Sequence, residues 1–234
     1  MEAFRNAVAL GAHYVELDVR SCATGELVVV HDETLDRVAG RPEKVADLLL
    51  AELQSVDVGS HFHPRCAGAS IPSLPQVVEE LDPAMHFNLE IKEEALSGDG
   101  TALALGRLIA AMGISGRCIV SSFNPASLRR LASQCAVPLG LLYPCEGAGG
   151  IKDWLSQRPW PAAFLQMYAL HPQHALVDAR LVRRSRFRGL VVNTWTVNDP
   201  DRMRQLIRLG VCGLITDRPD LALQILAEEP REAQ

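Results

Sequence analysis

The amino-acid sequence predicts an α/β protein built as a TIM-type (β/α)8 barrel, and three observations support this prediction. The length of 234 residues suits one such barrel. Short β-branched runs alternate with helical patterns from residue 12 onward, which is typical of a parallel sheet with helices outside it. A doubly wound open sheet is the alternative, but no Gly-x-Gly-x-x-Gly motif follows a strand to favour it.

The strands and helices can be placed in order along the chain. Strands are predicted where β-branched and aromatic residues form short runs, at residues 14–19, 27–31, 86–91, 118–122, 138–142, 163–168, 190–195 and 212–216. Helices are predicted where apolar residues recur at helical spacing, at residues 45–55, 74–81, 101–112, 125–133, 152–156, 178–185, 200–209 and 219–226.

Two stretches depart from a regular alternation. Only residues 20–26 separate the first two strands, which is too short for a usual parallel crossover. A hairpin through Thr24-Gly25 and an extended return without a helix both remain open. Residues 33–85 are interpreted as an insertion that carries short helices within a single domain of residues 1–227, and residues 228–234 as a frayed polar tail.

The composition excludes several classes of protein. Apolar residues make up 48% and charged residues 22%, which is ordinary for a globular domain. The net charge of −5 argues against a nucleic-acid partner, and no apolar run is long enough for a transmembrane segment. The six cysteines have wide, irregular spacing, so reduced thiols and a cytoplasmic location are expected. The composition indicates no oligomeric state.

The first predicted strand carries two acidic residues on one face. Side chains alternate along a strand, so Val15, Leu17 and Val19 share one face while Glu16 and Asp18 share the other. Two residues of rise place the two carboxylates roughly 7 Å apart. Inside a barrel they would repel each other unless a cation lay between them, and hard divalent cations prefer carboxylate oxygens. Two solvent-facing acids on an edge strand are the simpler interpretation.

The strand at residues 86–91 repeats this pattern. Asn88, Glu90 and Lys92 share one face of a segment that is apolar enough to be central. A surface Glu–Lys pair is the simpler interpretation. Three inward carboxylates with water would instead form a Mg²⁺ or Ca²⁺ site. His31 ends the strongly β-prone run of residues 27–31, and a histidine at a strand end of a barrel is a candidate general acid or base.

Several motifs, taken in order, resemble the glycerophosphodiester phosphodiesterase family. The match spans nearly the whole chain and is specific as an ordered set. Its segments are Ala3-Phe4 through Gly11-Ala12, Tyr14-Val15-Glu16-Leu17-Asp18-Val19, Val29-Val30-His31-Asp32-Glu33-Thr34-Leu35-Asp36-Arg37, Ile71-Pro72-Ser73-Leu74, Asn88-Leu89-Glu90-Ile91-Lys92, Ser121-Ser122-Phe123-Asn124-Pro125, Asn193-Thr194-Trp195-Thr196-Val197-Asn198 and Gly213-Leu214-Ile215-Thr216-Asp217-Arg218-Pro219.

This resemblance implies a metal-dependent hydrolase that acts on glycerophosphodiesters, which are small molecules, and releases glycerol 3-phosphate and an alcohol. By similarity, one divalent cation, Mg²⁺ or Ca²⁺, would be held by Glu16, Asp18 and Glu90. His31 would be a catalytic histidine, Lys92 would meet the phosphate, and Trp195 would form a wall of the glycerol pocket. Ordinary barrel packing is the alternative for Trp195.

The chain departs from the family pattern at its start. Phe4, Ala7, Val8 and Gly11 lie at helical spacing, so the chain begins inside an amphipathic helix. The family places a strand with His-Arg-Gly and a Pro-Glu-Asn-Thr turn before this helix. The barrel is therefore expected to be incomplete and to lack its first β-strand. Either about 25 to 35 further residues, one βα unit, precede Met1 in the native protein, or the truncation is real.

Two rival functions remain at this stage. A truncated family member with impaired catalysis could act as a binding protein. A related enzyme of the same barrel type could act on a phospholipid or lysophospholipid, and an exposed apolar rim would favour that function. The apolar residues around 154–164 are the candidate for such a rim.

Overall fold

The computed structural model describes residues 1–81, 83–93, 95–144 and 166–229. The chain divides into two compact units, one made of Met1–Ala9 and His13–Val137 and the other of Leu10–Ala12 and Pro138–Gln234. Among the described residues no helix is both long and apolar enough to cross a bilayer.

The first unit has four strands in the order β2-β1-β3-β4. Their bounds are Tyr14–Ser21 (β1), Leu27–Val29 (β2), His86–Ile91 (β3) and Cys118–Ser122 (β4). β3 runs parallel to both β1 and β4, whereas β2 is antiparallel to β1. The short connection between β1 and β2 is therefore a hairpin, and Gly25 supplies the positive φ of 85° that its turn requires.

One helix precedes β1, and the other helices of this unit follow β2, β3 or β4. They are α1 (Glu2–Ala9), α2 (Asp36–Ala39), α3 (Leu50–Ser55), α4 (Leu74–Glu80), α5 (Thr101–Met112) and α6 (Pro125–Ala132), with 3₁₀ turns at Val45–Asp47, Pro64–Cys66 and Ser115–Arg117. The single helix predicted over residues 45–55 is wrong, because Leu48 and Leu49 are extended and separate a 3₁₀ turn from α3. Ser73 and Gln76 form the capping box that begins α4.

The predicted alternation along β1 is confirmed. Val15, Leu17 and Val19 are buried, whereas Glu16 and Asp18 on the other face are half-buried. Phe87, Leu89 and Ile91 extend the apolar face across β3. A separate apolar cluster joins the region of the predicted insertion to β2, and it consists of Cys22, Val28, Val30, Leu35, Val45, Leu53, Val56 and Ile71.

The second unit is a parallel ladder of four strands. They are β5 (Leu139–Tyr143), β6 (Ala169–Pro172), β7 (Val191–Thr194) and β8 (Gly213–Leu214). Its helices are α7 (Ala179–Phe187), α8 (Pro200–Leu209) and α9 (Pro219–Glu228), with a 3₁₀ turn at His174–Leu176. Apolar residues of α7, α8 and α9 share a core cluster that includes Val182, Met203, Leu206 and Ile225.

The strand predicted at residues 163–168 is wrong for residues 166–168, which precede a strand that begins at Ala169. Residues 163–165 lie outside the described part of the chain, and Tyr168 is exposed just before the strand that the structure contains, β6. β6 includes His171 and Pro172, which strand propensity disfavours, and its pairing of Leu142 with His171 sets its place beside β5. The helix predicted at residues 152–156 and the apolar rim around 154–164 also lie outside the described residues.

Candidate active site

The acidic residues predicted on two separate strands lie together in the first unit. The parallel register places Asp18 beside Glu90 and Glu16 beside Asn88. One carboxylate oxygen each from Glu16, Asp18 and Glu90 lies within 4.8 Å of the others. Because the three side chains come from adjacent parallel strands and point to one face, strand geometry alone brings them together.

Lys92 lies one residue beyond β3 and completes this cluster. Its Nζ is 2.5 Å from Glu90 Oε1 and 3.1 Å from Asp18 Oδ1. The side chains of Lys92, Asp18 and Glu90 are 14%, 18% and 10% exposed, so water screens the ion pairs weakly. Glu90 and Lys92, which lie two residues apart along the chain, therefore form a largely buried ion-pair network with Asp18.

The burial and the mutual charges shift two pKa values in this cluster. Burial, reinforced by the nearby charge of Asp18, raises the pKa of Glu90, although Lys92 opposes the rise. Burial also works to lower the pKa of Lys92, but Asp18 and Glu90 outweigh it and the pKa lies above its ordinary value. Lys92 is therefore held in its charged form beside the carboxylates.

The donor set of the cluster suits a hard divalent cation. All three groups offer carboxylate oxygens, the ligands that Mg²⁺ and Ca²⁺ prefer. Three carboxyl groups against the one ammonium of Lys92 give a formal charge of −2, which one divalent ion would neutralise. Oxygens bound to one calcium ion lie at most about 5 Å apart, and the separation of 4.8 Å or less fits this limit.

His31 lies two residues beyond β2, and its side chain is 61% exposed. Its Nδ1 is 2.7 Å from Asp32 Oδ1, and Arg37 Nε donates to Asp32 Oδ2 at 2.6 Å. Burial works to raise the pKa of Asp32, but the hydrogen bonds from Arg37 and His31 outweigh it and the pKa is lowered. The ionised Asp32 orients the imidazole and leaves Nε2 as the atom that can exchange a proton.

Sequence reasoning assigned no role to Asp32 or to Arg20. The position of Asp32 directly after the candidate histidine was a usable signal. Arg20 donates to the main-chain oxygens of both His31 and Lys92. It continues the face of β1 that carries Glu16 and Asp18, so extending the alternation by one step would have identified it.

Trp195 belongs to the second unit and follows β7 directly. The indole Nε1 donates to the His171 oxygen at 2.8 Å, which fixes the ring beside β6. The His171 side chain is fully buried and its Nε2 lies 3.0 Å from Asn193 Nδ2. Burial lowers the pKa of His171 to about 4, so this imidazole is neutral near pH 7. A role of Trp195 in a glycerol pocket stays a prediction.

Comparisons with known proteins agree on one family. The sequence profile described as the glycerophosphoryl diester phosphodiesterase family matches residues 1–221. A glycerophosphodiester phosphodiesterase from Caldanaerobacter subterraneus subsp. tengcongensis is 35% identical over 227 residues, which cover 96% of this chain and 90% of that relative.

Two solved structures resemble this chain over nearly its full length. The crystal structure of a glycerophosphodiester phosphodiesterase from Thermotoga maritima has a TM-score of 0.72 at 28% identity, covering 96% of this chain and 90% of that one. A phosphodiesterase from Oleispira antarctica, solved with the product sn-glycerol-3-phosphate, has a TM-score of 0.79 at 22% identity, covering 96% and 90%.

These likenesses confirm the predicted α/β barrel class. Among the described residues, three parallel strands (β1, β3 and β4) belong to the first unit and four (β5, β6, β7 and β8) to the second.

Proposed function

Because the chain belongs to the glycerophosphoryl diester phosphodiesterase family and is a phosphoric diester hydrolase, we propose that it hydrolyses glycerophosphodiesters to glycerol 3-phosphate and an alcohol. The convergence of Glu16, Asp18 and Glu90 beside Lys92 is the observation that carries this proposal. The profile match over residues 1–221 supports treating residues 1–227 as one phosphodiesterase domain.

The cofactor of the proposed reaction is one divalent cation, Mg²⁺ or Ca²⁺, held by Glu16, Asp18 and Glu90. The hard oxygen ligands and the formal charge of −2 support this assignment. When bound, such an ion draws negative charge from a phosphate oxygen and acts as a Lewis acid.

The side chains of the chain supply the remaining chemistry. Lys92 places a fixed positive charge where negative charge develops on the phosphate, and its burial strengthens that interaction. His31 exchanges a proton at Nε2 with the attacking oxygen or with the departing alcohol, while Asp32 holds Nδ1. Asp32 is therefore a positioning residue for His31.

The proposed substrate is a small molecule. The Oleispira antarctica phosphodiesterase of similar fold was solved with sn-glycerol-3-phosphate, which supports a glycerol phosphate product here. We propose that Trp195 offers an apolar wall to the glycerol carbons. The five described cysteines are all free thiols, which supports a reducing compartment, the cytoplasm, as the location.

The test measures glycerol 3-phosphate released from a panel of glycerophosphodiesters with Mg²⁺ or Ca²⁺, and again with excess chelator. Glu90→Gln and Glu16→Gln should abolish the release that depends on the ion, because each removes a charged ligand. The matched control is Glu79→Gln on the exposed side of α4, which should keep full activity. No release by the unaltered chain with either ion, or full activity in Glu90→Gln, would overturn the proposal.

A further inference from the structure

Arg20 lies at the carboxyl end of β1, between the ends of the two neighbouring strands. β2 pairs with one side of β1 and β3 with the other. Alternation places Arg20 on the same face as Glu16 and Asp18, and its side chain is half-buried. It is therefore the basic residue that follows the two acidic residues along this face of β1.

The guanidinium of Arg20 joins the two segments that leave these neighbouring strands. Its Nε donates to the main-chain oxygen of His31 at 3.0 Å. Its Nη1 donates to the main-chain oxygen of Lys92 at 3.2 Å. One planar group thus holds the backbone of the histidine that follows β2 and of the lysine that follows β3.

The backbone at Lys92 is otherwise held by its sheet neighbours. The N–H of Lys92 donates to the main-chain oxygen of Val19 at 3.1 Å, and the main-chain oxygen of Ile91 accepts a hydrogen bond from Ser122 Oγ at 2.9 Å. The N–H of Val30, just before His31, donates to the main-chain oxygen of Asp18 at 3.0 Å, whereas the main-chain oxygen of His31 itself accepts from Arg20. Loss of that bond releases His31 more than it releases Lys92.

We propose that Arg20 is a positioning residue that fixes the distance between His31 and Lys92. This proposal rests on the function proposed above, in which His31 moves a proton and Lys92 meets the phosphate. A lysine at position 20 keeps the charge but presents one nitrogen, so it cannot span both carbonyl oxygens as the fork of arginine does. Displacement of a catalytic group by about 1 Å can cost about 100-fold in rate.

The test compares Arg20→Lys with the unaltered chain. We expect kcat to fall about 10- to 100-fold while KM stays within about threefold, because the proton-transfer geometry changes more than the substrate contacts. The matched control is Arg117→Lys, which removes another guanidinium-to-carbonyl bond, to Pro83, before β4. A purely structural role predicts equal rate losses in the two variants, and that result would overturn the proposal.

A double-mutant cycle separates positioning from general damage. In the His31→Ala background, Arg20→Lys should lower kcat by less than about threefold, since the group that it positions is already absent. An undiminished loss in that background would overturn the proposal.

Hydrogen exchange tests the positioning without any activity. The amides of Val30 and Leu35, which flank His31 and donate to the main-chain oxygens of Asp18 and Glu43, should exchange faster in Arg20→Lys than in the unaltered chain, with no such change in Arg117→Lys. Unchanged exchange would overturn the positioning role even if the chain hydrolyses its substrate. Absence of hydrolysis by the unaltered chain, with faster exchange in Arg20→Lys, would overturn the proposed function and still support the contact made by Arg20.

Discussion

Among the described residues of the first unit Glu93 is the most deeply buried acid, and its removal gives the sharpest test of stability. Its side chain is fully buried and accepts hydrogen bonds from the amides of Asp99 and Gly100 at 3.0 and 3.2 Å. Its other oxygen accepts from Ser127 Oγ and from the guanidinium of Arg130. Glu93 therefore joins the segment after β3 to the start of α5 and to α6.

The structure gives the size of the effect expected for Glu93→Gln. The amide keeps one acceptor oxygen for Asp99 and Gly100 but turns a donor toward Ser127 and Arg130. Two charge-assisted hydrogen bonds are lost, each worth about 1.5–3 kcal/mol. Arg130 is 24% exposed and can turn toward water, which favours the lower end, about 3 kcal/mol. For a chain of this size the melting temperature should fall by about 6–12 °C.

Thermal unfolding followed by circular dichroism at pH 7 measures this shift, with exposed Glu79→Gln as the matched control. Burial works to raise the pKa of Glu93, but its bonds to Ser127, Arg130 and Asp99 outweigh it and lower the pKa. The stabilisation is thus complete above the unfolded pKa of about 4.3 and is lost as the pH falls below it. The difference in melting temperature between the unaltered chain and Glu93→Gln should therefore decrease from pH 5 to pH 3. A fall in melting temperature no larger than that of Glu79→Gln, or a difference in melting temperature that does not change with pH, would refute the ion pair between Glu93 and Arg130.

Two further predictions concern a thiol and a glycine. Burial raises the pKa of the Cys118 thiol to about 12, so this thiol should resist alkylation at pH 8 until the chain unfolds. Mass spectrometry should show that exposed Cys212 is modified before Cys118, and early labelling of Cys118 would contradict its burial. A Cβ at Gly140 would lie 2.7 Å from His171 Nε2, so Gly140→Ala should destabilise the chain by about 1–3 kcal/mol in thermal unfolding. The control is Gly116→Ala, because a Cβ at Gly116 would meet open space. Equal melting temperatures for the two variants would show that His171 can move aside.

The convergence of the acidic residues could be predicted because it depends on local geometry. Alternation places Glu16 and Asp18 on one face, and parallel pairing with the strand that carries Glu90 follows from the α/β pattern. The bounds of β3 were predicted to the residue, since Phe87, Leu89 and Ile91 alternate with polar residues over His86–Ile91.

Other features depend on contacts that no local pattern reveals. The bond of Arg20 to Lys92 spans 72 positions and that of Arg130 to Glu93 spans 37, so neither partner indicates the other in sequence. The position of β6 was missed because pairing with β5 places His171 and Pro172 in a strand against their propensity. Tertiary pairing outweighs local preference at such positions.

β1 pairs with two strands, and the loops that these two pairings close differ in length. One pairing is the hairpin with β2, and the other is the parallel pairing with β3. The hairpin closes over a few residues, whereas Arg20 and Lys92 meet across 72 positions. The entropy lost in closing a loop grows with its length, so contacts between distant residues form late unless other contacts shorten the loop. We therefore expect Asp18 and Glu90 to meet after residues 33–85 have packed against β2. On this expectation the acidic cluster forms late in folding, and mutations that loosen residues 33–85 should disturb it without touching any of its side chains.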